Sequence, residues 1–399
     1  MKRYMVKIAI FTPILYPFYI ELSQILQKYD IEAKVYTHKI FGNYPFEEWL
    51  KYAEKIHAIQ IFGNTLANPF NFVRRIFKTY NPDIIVIFGC ESLSGLILYG
   101  LTRLLRRIPV VIIEENNITK LKGLKRILQT VKLILVKHMY RTAPILIAES
   151  RASANYVVHI LRVERSSNSI YIRPHGVNIH RFKPIEKRIA LKYINEKYKL
   201  SLKDYGKKVI LYVGNFSYCK GFDILIYSIY KLSKKRDDFI VMIPKVSISR
   251  LLYDIENTGL KHKILRLICK LKHNKKIIEY PPIRYNDMPM LYGIADIVVL
   301  PSRFMRNTSS DRSPNAALEA IACGRTLVAS YVGGIPDIAG KYFIPIKPGD
   351  TNDLVNKLEV ALNNQLSTSK IRQWAIDYLS LERYAYDILG RVKSLLRLK

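Results

Sequence analysis

Residues 209–232 read VILYVGNFSYCKGFDILIYSIYKL. The run Val209–Val213 is continuously apolar, the pattern of a strand covered on both faces. A glycine turn follows at Gly214. Phe222 then opens a helical pattern that runs to Lys235. This strand–turn–helix unit is the building block of a parallel α/β sheet. Working outward, the same alternation fills the chain. Further strands are predicted at Lys7–Thr12, Ala33–Thr37, Ile84–Phe88, Val110–Ile113, Ile145–Ala148 and Ser169–Arg173, and then at Phe239–Ile243, Ile277–Tyr280, Ile297–Leu300 and Leu327–Ser330. Helices are predicted between them, for example over Ile20–Tyr29 and Ala316–Ala322.

A chain of 399 residues exceeds one ordinary core, so two domains are expected. The stretch 184–206 is polar, Lys-rich and without a strand, which makes it the candidate linker. The expected division is therefore 1–183, a linker at 184–206, and 207–379. A final helical pattern from Ile371 to Leu396 is expected to lie across the domain junction, with 380–399 returning to the first domain.

The formal net charge is +32. It is spread through the chain: residues 1–184 carry 27 Lys/Arg against 12 Asp/Glu, and the remainder 37 against 20. Such a charge favours anionic partners. No zinc, RNP or arginine-rich motif accompanies it, so nucleic acid is not expected. Cys90, Cys219, Cys269 and Cys323 have neither metal-ligand spacing nor a CxxC pair, which points to free thiols. The apolar start of the chain is broken by Pro13 and Pro17 and reads as a strand and a loop, not a signal peptide. No run reaches the ~18–20 apolar residues of a spanning helix. The expected location is cytoplasmic, or peripheral on the cytoplasmic face of a membrane.

The segment Ser313-Pro314-Asn315-Ala316-Ala317-Leu318-Glu319 reads as a helix start. Ser313 suits the N-cap and Pro314 the first helical position, while Gly324 suits the position after the helix end. The unbonded amides and positive dipole end of such a helix suit a phosphate. Asp311 and Glu319 flank that mouth with carboxylates that could accept hydrogen bonds from sugar or ribose hydroxyls. Lys220, beside Gly221 at a second helix start, is a mobile charge for a phosphate.

Several segments in order resemble glycosyltransferase family 4, of the GT-B fold. VGNFSYCKGFDILI is similar to VGRLxPxKGxDxLI, and IRPHGVNIHRFKP to IPNGVDxxRFxP. MPMLYGIADIVVLPS resembles LPxLYxxADVFVLPS. DRSPNAALEAIACG resembles EGFPNxLLEAMACG, and VASYVGGIPDI resembles VASxVGGIPEI. These cover roughly 169–340. The first half is similar more loosely, through NPDIIVIFG, IPVVIIEEN and APILIAES.

The resemblance implies two facing Rossmann-like domains with parallel sheets. It implies a retaining glycosyltransferase of hexosyl type whose C-terminal domain binds a nucleotide-diphosphate sugar and whose N-terminal domain binds the acceptor. No cofactor and no metal are implied, and no DxD motif is present. Carried over residue by residue, Lys220 pairs with the diphosphate, Glu319 holds the ribose hydroxyls and Asp311 meets the donor sugar. Gly214, Asn215, Arg312, Ser313, Pro314, Asn315 and Ala316 complete the donor site. Asn215 stands where the family has a diphosphate-clamping arginine, with Arg303, Arg306 and Arg312 as candidate substitutes. Asp311 replaces a glutamate. Glu115 aligns with the family's N-domain histidine and is the third candidate catalytic residue. Ile243-Pro244-Lys245-Val246 replaces the usual VGxGP.

Between Thr102 and Arg141 lie ten Lys/Arg and two acids, Glu114 and Glu115. The later part, KLKGLKRILQTVKLILVKHMYR, reads as a basic amphipathic helix able to lie on an anionic membrane. A lipid-linked or glycan acceptor fits that placement. Two other readings stay open: a sugar-nucleotide epimerase or phosphorylase on the same fold, and a sugar-nucleotide-binding protein with weak or no catalysis.

Overall fold

The computed structural model describes residues 5–40, 59–61, 76–89, 92–113, 124–164, 169–200, 206–245, 258–304 and 313–396. These fall into two compact units: one runs to Asn178 and takes back the chain from Ser380, and the other spans Ile179 to Leu379.

The first unit holds β1 (Val6–Leu15), β2 (Ile31–Ile40), β3 (Ile59–Ile61), β4 (Ile84–Ile87), β5 (Ile108–Ile113), β6 (Ile145–Ala148) and β7 (Tyr171–Ile172). Their order is β3-β2-β1-β4-β5-β6-β7, with every pair parallel. The second holds β8 (Lys208–Tyr212), β9 (Phe239–Pro244), β10 (Ile277–Tyr280), β11 (Ile297–Leu300), β12 (Thr326–Ser330) and β13 (Ile344–Ile346). Its order is β10-β9-β8-β11-β12-β13, again parallel. Both orders are the doubly wound Rossmann pattern, reversing direction next to the first strand of each sheet. In the second sheet that reversal lies between β8 and β11. Ligands of such sheets bind outside the carboxyl ends of the strands at this point.

The predicted strands all appear: β6, β10 and β11 match to the residue, and the other eight differ at one or both ends. β3 and β13 escaped the sequence reading. Each has three residues, too few for a pattern, and each is an edge strand. Pro345 is tolerated in β13 because one side of an edge strand has no ladder to satisfy.

Four expectations change. β1 continues past Pro13 to Leu15 instead of passing into a loop, and Pro17 opens the helix Pro17–Gln27. A proline there loses no helical hydrogen bond. The stretch read as a linker carries the helix Lys187–Tyr198, built into the second unit. Ala190 and Ile194 are buried against the helix Met288–Ile294, where a Cβ added to Gly293 would stand 2.8 Å from the Ala190 Cβ. Tyr193 and Tyr198 each donate to the Asp287 carboxylate at 2.6 Å, and Lys197 pairs with it at 2.8 Å. The many lysines hid the small buried apolar face of Ala190, Leu191 and Ile194.

The pattern over Ile371–Leu396 is not one helix. It divides into Thr368–Trp374, a π turn Ala375–Leu379, and Leu381–Leu396. The break falls at Ser380, which bridges Val177. The last helix buries Leu381, Tyr384, Ile388, Leu389 and Val392 in the first unit's core. Gly176 makes this possible, since a Cβ there would meet the Leu381 Cα at 2.9 Å. The fourth change concerns the helix start at residue 314.

Candidate functional site

The carboxyl end of β8 leads through Val213 into a turn locked from beneath. Tyr212, buried, donates its hydroxyl to the Asn215 carbonyl at 2.5 Å, and receives Tyr280 Oη on its own carbonyl at 2.9 Å. A Cβ on Gly214 would press on that hydroxyl at 3.1 Å. Asn215 Oδ1 accepts from Ser217 Oγ at 2.7 Å and from the Ser217 amide at 3.4 Å. The Asn215 side chain therefore shapes its own turn and supplies no charge.

A single 3-10 turn, Tyr218–Lys220, brings Lys220 to the start of the helix Phe222–Leu232. Gly221 joins them with φ +66°. The turn is fastened to the end of β11. An ideal Cβ on Gly221 would lie 1.9 Å from the Pro301 carbonyl oxygen, so backbone meets backbone there. The Arg303 amide donates to the Cys219 carbonyl at 2.8 Å, and its Nη1 donates to the Tyr218 carbonyl at 2.9 Å. Its guanidinium forms a two-pronged pair with Asp223, at 2.6 and 2.7 Å, and lies 3.9 Å over the Tyr218 ring. Burial opposes that charge, and the Asp223 hydrogen bonds more than offset it, raising the Arg303 pKa.

This corrects the expectation that Arg303 substitutes for the missing arginine at 215. Its fork is matched to a carboxylate in the bidentate way arginine prefers. It positions the turn that carries Lys220. The sequence reading missed the pair because Asp223 and Arg303 are 80 residues apart. The only signal was an acid in the first turn of a helix facing a strand end.

The third element is the helix Asn315–Ala322. Pro314 is its N-cap, in extended conformation, and no side chain caps it. Ser313 therefore does not serve as the N-cap and Pro314 is not the first helical residue. The Pro314 carbonyl takes the first bond, from the Ala317 amide at 2.9 Å. The amides of Asn315 and Ala316 consequently have no acceptor inside the helix. At the far end Gly324 has φ +66°, and the Gly324 and Arg325 amides close on Ile321 and Ala320 at 3.0 and 2.9 Å. That is the glycine stop expected there.

Glu319 lies one turn into this helix and is only 9% exposed. Its Oε2 accepts the hydroxyl of Tyr292 at 2.8 Å. Tyr292 is wholly buried on the helix Met288–Ile294. Burial, then the charge and hydrogen bond of Glu319, hold the phenol well above its ordinary range. It stays a donor and fixes the carboxylate. Tyr292 is a site residue the sequence reading did not name, although the LYGIAD motif contains it. Cys323 is buried, and burial pushes its thiol up.

The structure thus brings Gly214, Asn215 and Lys220 to one strand end and Ser313, Pro314, Asn315, Ala316 and Glu319 to the helix after the neighbouring strand. The Gly221–Pro301 contact ties the two strand ends together at the reversal of the sheet. Amides, a lysine and an oriented carboxylate at this place can hold a diphosphate and a hydroxylated ring. Asp311, Arg312, Arg306, Val246 and Glu115 lie outside the described residues. Among the described residues no group of three His, Cys, Asp or Glu is placed to hold a metal ion.

Two parallel Rossmann-type sheets are the architecture of the GT-B fold. Residues 194–377, somewhat under half of the chain, match the family model described as glycosyl transferases group 1. Over 219 residues the chain is 28% identical to the D-inositol 3-phosphate glycosyltransferase of Mycobacterium tuberculosis. That match spans 55% of this chain but only 37% of the relative. Among solved structures, a glycosyltransferase from Rickettsia africae is similar at TM-score 0.72 and 17% identity, covering 99% of this chain and 100% of that one. Anabaena HepE, solved in complex with UDP-glucose, is similar at TM-score 0.70 and 16% identity, covering 97% of this chain and 99% of that one.

Proposed function

We propose that the chain is a retaining glycosyltransferase that moves a sugar from a nucleotide-diphosphate donor to a hydroxyl of a lipid-linked or glycan acceptor. The observation that carries this reading is the fastening of the Lys220 turn to the end of β11, beside the helix that presents its amides at 315–316 and its carboxylate at Glu319. The UDP-glucose bound to HepE, on the same fold, supports the donor class.

In this reading Lys220 and the amides of Asn315 and Ala316 neutralise the diphosphate as it departs. Glu319 accepts from the ribose hydroxyls, Asp311 from the donor sugar, and Glu115 from a sugar hydroxyl. The acceptor oxygen forms its bond to C1 as the bond from C1 to the diphosphate oxygen breaks. The acceptor proton passes to that leaving oxygen. Both events on one face of the sugar keep the anomeric configuration. The positive groups named here carry the leaving charge, so the reading requires no metal.

The test is turnover of UDP-, GDP- and ADP-sugars with hydroxyl acceptors, the product anomer being read by proton NMR. One donor is expected to transfer with retention. Lys220→Ala should lower its rate roughly 10²-fold, as removal of one preorganised donor to a developing oxyanion does. An inverted product, conversion of the donor alone to an epimer, or an unchanged rate in Lys220→Ala would each overturn the reading.

A further inference from the structure

The helix Leu124–Thr142 has two apolar faces. Val136, Met139 and Tyr140 are buried in the first unit's core. Ile127, Val131, Ile134 and Leu135 recur at i, i+4, i+7 and i+8, so they share one face. All four stand in solvent, at 61, 51, 60 and 48% exposure. Exposed apolar residues scattered singly call for no explanation, whereas a contiguous stripe marks a contact surface.

The charge around the stripe selects the partner. The helix carries five Lys/Arg, namely Lys125, Arg126, Lys132, Lys137 and Arg141, and no Asp or Glu. Lys132 and Arg141 are exposed, as is His138. Four branched or long aliphatics flanked by cations and neutral polar residues, with no acid on the helix, spread over about 12 Å, match the interfacial zone of an anionic bilayer. There the stripe enters the acyl boundary and the cations meet headgroup phosphates. We propose that the outward face of Leu124–Thr142 is a docking surface for anionic lipid.

The placement fits a membrane-borne acceptor. The helix connects β5 to β6, which are parallel, so its first turn stands at the carboxyl edge of the sheet. That edge is where ligands of this sheet type bind. The purpose of docking rests on the glycosyltransferase reading. The docking itself does not, and the two are tested separately.

The experiment is flotation of the full chain with phosphatidylcholine vesicles, with and without added phosphatidylglycerol, no nucleotide being present. Binding is expected only with the anionic lipid, and it should weaken as salt rises. The double variant Val131→Asp with Ile134→Asp should lower partitioning about tenfold or more at an unchanged melting temperature. Ile189→Asp, which removes an equally exposed residue on the second unit, should bind as the parent does. Equal binding to neutral and anionic vesicles, or full binding by the double variant, would overturn the proposal. So would a parent dimer that the double variant dissociates, since the face would then join two copies of the chain. Failure here leaves the sugar-transfer test intact, and the converse holds.

Discussion

Gly221→Ala is expected to weaken donor binding sharply and to destabilise the second unit more than any other single methyl addition in the site. Two effects add. The left-handed conformation at φ +66° strains a residue with a Cβ, at a cost of about 1–3 kcal/mol. The Cβ would also lie 1.9 Å from the Pro301 carbonyl oxygen, far inside contact distance. Neither partner is a flexible side-chain tip, so the 3-10 turn and the end of β11 must part. The Arg303 bonds to Cys219, Tyr218 and Asp223 would stretch with them, and Lys220 would leave its place. Donor affinity should fall by roughly 10²-fold or more, as for loss of a positioned oxyanion donor. The melting temperature should drop roughly 2–4 °C for each kcal/mol lost, for a unit of this size. Gly349→Ala is the control: φ is +83°, and nothing stands within 4 Å of its Cβ. It carries the strain without the collision and should leave donor binding intact. Equal donor affinity in Gly221→Ala would show that the turn's seat on Pro301 does not matter to binding.

The second large effect is expected at Glu319. Removing the carboxylate in Glu319→Ala deprives Tyr292 of its acceptor in a fully buried place. An orphaned buried hydroxyl costs about 1–3 kcal/mol of stability. The same change removes the acceptor proposed for the ribose. Hydrogen bonds to a charged group contribute about 1.5–3 kcal/mol each, so the parent should prefer a ribonucleoside diphosphate over its 2′,3′-dideoxy analogue by tenfold or more. In Glu319→Ala that preference should vanish, both ligands binding weakly and alike. Tyr292→Phe keeps the carboxylate but frees its orientation, so the preference should shrink without disappearing. Calorimetric titration of the two ligands into the three proteins reads all of this. A preference that survives in Glu319→Ala would move the ribose contact elsewhere.

These two positions show what the amino-acid sequence could and could not disclose. Strands buried on both faces are uninterrupted apolar runs, so β6, β10 and β11 are legible to the residue. β3 and β13 are three-residue edges with nothing to distinguish them. Helix ends are legible where backbone chemistry demands one residue type, as at Gly324. The start at 315 was displaced by one residue because a proline suits both the cap and the first turn. The helix Lys187–Tyr198 was hidden by surface lysines around a small buried face. Pairings between distant residues were the blind spot. Arg303 looked like a cation for phosphate until Asp223 was seen to hold it, and Glu319 was read as an acceptor for sugar hydroxyls with no sign of Tyr292 beneath it. In both cases the motif residue was visible and its partner was not, because periodicity carries no information about contacts 80 or 27 residues apart.

The central claim is that a nucleoside diphosphate sugar sits on the amides at the switch point of the second sheet. Amide hydrogen exchange, with and without a saturating nucleoside diphosphate sugar, tests it most directly. The account predicts slowed exchange in 214–221 and in 315–319, with the outward face of Leu124–Thr142 unchanged. Absence of protection at both segments with every donor base tried, or protection confined to other strand ends, would contradict it.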